Sequence, residues 1–137
     1  MDFEIRTGGV PDAQEAIRLY RQADWWEDGD SEEAVSKLFE GSFRVAEALS
    51  GNHLIGMGRA LSDGAGDAYI QDVVVDRNFR GQGIGSSIVR TLVRELRDAG
   101  IGWIGLVGAP GTESFYRKLG FEVMKEHGPM RDRGEKR

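Results

Sequence analysis

Six residues, Arg80-Gly81-Gln82-Gly83-Ile84-Gly85, stand between a valine run, Val73-Val74-Val75, and a long amphipathic stretch that begins at Ile84. A strand that passes through a glycine-rich turn into a helix restricts the chain to folds that mix sheet and helix. Glycines let backbone N–H groups approach a ligand closely, and an anion at a helix N-terminus meets both free donors and the positive end of the dipole. The loop reads as a pyrophosphate cradle, although an isolated glycine triplet also serves as a plain turn. Two familiar phosphate loops are excluded. There is no GxxxxGK[ST] string. A dinucleotide fingerprint would follow its strand directly and be matched by an acid about 20 residues on, at the end of the next strand. Here Asp76–Phe79 intervene, and Glu95 and Asp98 fall on the helix itself.

The rest of the chain supplies the partners of that unit. Phe3–Arg6 alternates as a short strand, and Pro11 opens a helix over residues 11–23 with Ala13, Ala16, Ile17 and Tyr20 on its apolar face. Ser31 is placed to cap a second helix, with Val35, Leu38 and Phe39 as its buried stripe. Strands follow at Phe43–Ala48, His53–Leu61 and Ala68–Val75, and their short connections predict an antiparallel meander. A helix over residues 83–99 buries Ile84, Ile88, Val89, Leu92, Val93 and Leu96 and ends at Gly100. Trp103–Val107 reads as a strand, Thr112–Leu119 as a helix and Phe121–Lys125 as a last strand. This order predicts an α/β (α+β) fold: a mixed, mostly antiparallel sheet with helices on both faces.

With 137 residues, the chain suits one domain. Residues 1–125 are expected to form it, with 126–137 as a charged tail. There is no cysteine, and His53 and His127 are isolated, so no disulfide framework or metal centre is expected. No apolar run is long enough to cross a membrane. The first residues lack the layout of a secretion signal, which makes the cytoplasm the expected compartment. Net charge is −5, which argues against nucleic acid as a partner. Residues 1–75 carry 6 basic and 15 acidic side chains, a balance of −9; residues 76–137 carry 12 and 8, a balance of +4. The split is either an uneven solvated surface or the pairing of an anionic ligand with the second half and a cationic one with the first, and charge alone does not choose between them.

The glycine loop, read with its flanks, resembles the GCN5-related N-acetyltransferase (GNAT) family, whose signature [QR]xxGx[GA] is matched by Arg80, Gly83 and Gly85. The whole string Ile70 to Gly85 is similar to that family. So is Phe115-Tyr116-Arg117-Lys118-Leu119-Gly120-Phe121-Glu122, about 30 residues on, and the resemblance covers residues 3–125. It implies a sheet of six to seven strands and acetyl-CoA as cosubstrate, with no metal. It also places the diphosphate on the amides of Gly81, Gln82, Gly83, Ile84 and Gly85 with Ser86 behind, Arg80 beside the phosphates, and the pantetheine arm against the backbone of Val73 and Val75. Tyr116 takes the place of the general acid that protonates the departing thiolate. Arg117 and Lys118 read more simply as an exposed helix face. Members with an asparagine in the turn before this helix differ from the Ala109-Pro110-Gly111-Thr112 found here.

The acceptor amine must be neutral to attack, and an alkylamine with a pKa near 10.4 costs about 4.6 kcal/mol to deprotonate at pH 7. Asp72, a carboxylate inside an apolar strand, is either the base or a structural group. The glucosamine-phosphate branch has Glu-Asp where this chain has Gln71-Asp72, so that sugar specificity is not expected. Residues 23–36 hold no basic side chain but include Trp25 and Trp26 among Asp24, Glu27, Asp28, Asp30, Glu32 and Glu33. Aromatic faces beside carboxylates suit a cationic ligand. The expectation is acetyl transfer to a primary amine of a small cationic molecule, with a homodimer allowed by the resemblance. The alternatives are a non-catalytic acyl-CoA-binding regulatory domain and a protein or peptide N-acetyltransferase.

Overall fold

The structure, a computed structural model, describes residues 2–27 and 29–134. The chain divides into two compact units, Met1–Leu106 and Val107–Arg137.

The first unit holds β1 (Glu4–Thr7), α1 (Ala13–Gln22), α2 (Glu32–Glu40), β2 (Arg44–Ser50), β3 (His53–Ser62), β4 (Asp67–Val75), a 3-10 turn (Arg77–Phe79), α3 (Ile84–Asp98) and β5 (Trp103–Leu106). The strands form one sheet in sequence order, antiparallel from β1 to β4, with β5 parallel to β4. The meander is as expected, and the crossover through α3 lets β4 and β5 run parallel. Asp12 caps α1 through the Glu15 amide and Ser31 caps α2 through the Ala34 amide, each bond contributing about 1 kcal/mol. Pro11 lies just before the cap and is buried.

Helices cover both faces. Ala16, Ile17, Leu19 and Tyr20 of α1 and Val35 and Phe39 of α2 pack with Met57 and Val74. On the opposite face, Gly56 and Gly58 lie directly under α3. A Cβ on Gly58 would come within 2.9 Å of Ile88 Cγ2 and 3.2 Å of Leu92 Cδ1. Glycines at these two points of β3 let the helix seat closely on the sheet, and this fixes the height of the loop that opens α3.

The second unit contains α4 (Glu113–Lys118). Phe121–Lys125, expected as a strand, has no ladder partner among the described residues, so the sheet has five strands there rather than six to seven. Gly120 turns the chain at φ +93°, and Phe121 packs its ring 5.8 Å from that of Tyr116 instead of joining a sheet. Alternating side chains make a strand only where a neighbouring backbone pairs with it. Of the expected tail, residues 126–134 are exposed and 135–137 lie outside the described residues.

Candidate active site

The glycine loop delivers an open helix N-terminus. Gly81 and Gly83 adopt φ +78° and +81°, and nothing lies within 4 Å of where their Cβ atoms would be. They are glycines for conformation, not for space. Gly83 is the N-cap of α3 and, unlike Asp12 and Ser31, provides no side-chain cap. The first helical bond runs from the Ser87 amide to the Gly83 carbonyl, so the amides of Ile84, Gly85 and Ser86 precede the helical ladder. Ile84 buries its side chain and can contribute only its backbone. Arg80 lies at the same place, its Nε donating to the Val75 carbonyl at 3.2 Å. Unpaired amides, a helix dipole and a guanidinium are the donor set that an anion requires.

The turn into that loop is held by charges to which the sequence patterns do not point. Asp76 is buried; its Oδ1 accepts from the Asn78 amide at 2.9 Å and its Oδ2 from Arg18 Nη1 at 2.5 Å. Arg18 also donates to the Leu54 carbonyl and to Glu15, and His53 Nδ1 lies 3.1 Å from Glu15 Oε1. Burial alone would raise the pKa of Asp76, but the Asn78 amide and the Arg18 guanidinium together bring it below the ordinary carboxylate value.

One edge of β4 is open where the loop begins. The ladder with β5 covers only Asp67–Ile70 opposite Trp103–Leu106. The Asp76 amide donates to the Ile55 carbonyl, so strand alternation turns the polar backbone groups of Val75, and of Val73 before it, away from β3. Val73 and Val75 therefore turn peptide groups toward an edge that β5 leaves uncovered and that runs to the glycine loop, the Val75 carbonyl already accepting from Arg80 Nε.

A β-bulge lies beside this edge. Met57 faces Val74, but Arg59 faces Gln71, so three steps on β4 match two on β3. The extra residue is Asp72, at φ +57°, in the left-handed region that aspartate tolerates better than most residues. The slip brings Gln71 and Asp72 to one side chain: Arg59 Nε donates to Asp72 Oδ2 at 2.7 Å, and Arg59 Nη2 to Gln71 Oε1 at 3.3 Å. Tyr20 donates its hydroxyl to the same Asp72 oxygen at 2.9 Å. Burial, and then the charge of Asp72, push the Tyr20 pKa well above its ordinary value, so it is a neutral donor. Helical periodicity marks Tyr20 only as core, and Arg59 belongs to no motif; an arginine among the small and apolar residues of β3 is the one signal the sequence holds for it.

The two tryptophans take different positions. Trp25 is exposed, with its ring 6.3 Å from that of Tyr20. Trp26 packs against the core and lies under the Arg21 guanidinium at 5.2 Å. Asp28 is outside the described residues.

In the second unit, Tyr116 packs edge to face between Phe115 and Phe121, at 4.9 and 5.8 Å. Burial raises the pKa of its hydroxyl above the ordinary 10. Arg117 pairs with Glu113 one turn back and is exposed, as its plainer reading required. Thr112 makes no side-chain cap. Among the described residues, no cluster of three His, Asp or Glu could hold a metal, and no helix is long and apolar enough to cross a membrane.

Residues 10–121 match the acetyltransferase (GNAT) family model. A histone acetyltransferase of Glycine max is 43% identical over 88 residues, which are 62% of this chain and 38% of that protein. A chloroplastic GCN5-related N-acetyltransferase of Arabidopsis thaliana is 48% identical over 73 residues, 53% of this chain and 28% of its own length. The matches thus span less than half of these relatives. Among solved structures, a GNAT-family acetyltransferase from Streptococcus pneumoniae superposes with a TM-score of 0.81 at 24% identity, covering 98% of this chain and 100% of that one. That likeness speaks for the fold.

Proposed function

This chain belongs to the GNAT family of acetyltransferases, and on that premise we propose that it moves the acetyl group of acetyl-CoA to a primary amine of a small cationic acceptor by direct attack. The observation that carries the reading is the uncapped N-terminus of α3, held open by Gly81 and Gly83 beside the free edge of β4. The donor set fits the cosubstrate: amides and Arg80 for a diphosphate, and strand peptide groups for an amide-bearing arm. When bound, acetyl-CoA supplies an activated thioester.

Each residue then has a task. The amides of Gly81, Gln82, Gly83, Ile84, Gly85 and Ser86 hold the diphosphate, and Arg80 adds charge. Val73 and Val75 pair with the arm, and an amide of the same edge steadies the carbonyl oxygen as it gains charge. Asp72 draws in the acceptor's ammonium through Oδ1, since both its internal bonds fall on Oδ2, and takes the proton directly or through a water. The amine nitrogen forms its bond to the carbonyl carbon, the carbon–sulfur bond breaks, and Tyr116 returns a proton to the thiolate. Trp25 and Gln71 line the acceptor's approach, and Trp26, expected beside them, holds the same segment against the core. Residues 1–125 act as one domain with 126–137 as a tail, in the cytoplasm and as a homodimer; fractionation and sedimentation test these last two points.

Calorimetric titration with acetyl-CoA, followed by an amine panel read by free-thiol release, tests the reading. Binding with amine-dependent release supports it. Binding without release from small amines, but with release from basic peptides, would move the acceptor to a protein, a reading favoured by the −9 balance of residues 1–75 and by the histone acetyltransferase relative. Binding with no release at all would leave a regulatory acyl-CoA-binding domain. Absence of binding would overturn the assignment of the loop.

A further inference from the structure

The sheet face that carries Asp72 continues past it. Cross-strand register puts Leu61 of β3, Tyr69 of β4 and Gly105 of β5 in one row, two residues beyond the row of Arg59 and Gln71. Residues two apart on a strand share a face, so Tyr69 projects from the side of the Arg59–Gln71–Asp72 cluster. Trp103, two residues before Gly105, projects from it as well.

The aromatic pair is built in place. The six-membered ring of Trp103 lies over Gly105, where any Cβ would run into it. Tyr69 meets Trp103 edge to face at 5.3 Å and 62°. Both rings nevertheless remain open to water, Tyr69 at 47% and Trp103 at 38% exposure. Beside Tyr69, a shallow surface groove of about 420 Å³, wide open to solvent, is lined by Leu61, Asp63 and Asp67 among others. Rigid aromatic faces next to two carboxylates form an environment for an organic cation, held by ring quadrupole and Coulomb attraction together.

We propose that Tyr69 and Trp103, with the groove at Asp63 and Asp67, form a second subsite that holds a distal cationic group of the acceptor. The preferred acceptor is then a linear molecule with two positive charges. This rests on the reading that amine acetylation takes place at Asp72. Three steps along β4, the last into the bulge, carry the backbone from Tyr69 to Asp72, a spacing of about 10 Å that the two amines of the acceptor must roughly match. An extended α,ω-diamine with roughly six to eight methylenes spans that distance at about 1.25 Å per bond.

The test is the acceptor KM across the α,ω-diamines from propane-1,3-diamine to decane-1,10-diamine, each beside the monoamine of equal length. The expected result is a KM about tenfold lower for the spanning diamines than for their monoamines. Tyr69→Ala and Trp103→Ala should erase that gain while leaving acetyl-CoA affinity and the kinetics with propane-1,3-diamine, too short to span, unchanged. A gain that is absent, or that survives both substitutions, overturns the subsite. Should no amine be acetylated, the functional reading fails separately, and the subsite is read by NMR instead. Titration of octane-1,8-diamine must shift the Trp103 indole N–H, assigned with Trp103→Phe; an unmoved signal overturns the proposal.

Discussion

Arg59 and Asp72 are joined across the β3–β4 bulge, Nε to Oδ2 at 2.7 Å, with the arginine side chain 9% exposed and the aspartate 24%. The pair joins the two strands at the point where their register slips, so Asp72 is held at a positive φ by its partner as well as by its backbone. Removing the guanidinium leaves a part-buried carboxylate with only the Tyr20 hydroxyl.

Arg59→Met should therefore destabilise the fold by about 2–4 kcal/mol, below the range for a fully buried pair because Asp72 still reaches water. Urea denaturation measures this. Acceptor kinetics should worsen more than acetyl-CoA binding, because the glycine loop is not part of this network. Equal loss of both would show that the bulge also sets the loop.

The two tryptophans should separate. Trp25→Ala raises acceptor KM with little change in melting temperature, because its ring is exposed beside Tyr20. Trp26→Ala lowers stability by about 1–3 kcal/mol through lost packing and the lost Arg21 contact. Steady-state kinetics with thermal melts decide; acceptor KM unchanged in the Trp25 variant would remove that residue from the acceptor path.

Gly58→Ala tests how α3 is seated. Its Cβ would come within 2.9 Å of Ile88, an overpacking that costs about 1–3 kcal/mol. Lifting α3 moves the amides of Ile84 to Ser86, so acetyl-CoA affinity should fall as well, far from any direct contact. Calorimetry with acetyl-CoA on the folded variant is the measurement.

Tyr116→Phe should lower kcat by about 10²–10⁴-fold with little change in acetyl-CoA affinity, the range for a positioned acid. Burial pushes the phenol's pKa up from its ordinary value, so it keeps its proton at neutral pH, and any alkaline fall of wild-type kcat from its ionisation should come at higher pH than for a free phenol. A full-rate phenylalanine variant would exclude Tyr116 as proton donor.

Asp76 has a pKa below its unfolded value of 3.8. A carboxylate depressed in the folded state adds stability above the unfolded pKa, and that stability is lost as pH falls through the folded one. Asp76→Asn should thus lower stability at pH 7 and flatten the acid limb of the stability curve below about pH 4. Acid titrations of both proteins by circular dichroism show this directly.

Much of this arrangement is local and therefore readable from the chain. Asp12 and Ser31 cap helices because their oxygens reach amides three residues on, and Gly83 opens α3 because only glycine enters the left-handed region freely. The order of elements and the glycine turn follow from such short-range rules. Phe121–Lys125 has the pattern of a strand without being one, because alternation describes what a strand needs on its faces and says nothing of whether a neighbour exists.

What the sequence determined alone was the loop, its helix and the layered fold around them, since each rests on contacts within a few residues. Tertiary structure alone decided that Asp72 is the bulged residue, that Arg59 and Tyr20 converge on it from 13 and 52 positions away, and that Tyr69 and Trp103 share its face. A one-residue slip between paired strands reverses which side chains meet. That slip depends on the partner strand and the helix packed against it, and neither is written in the local pattern of either strand.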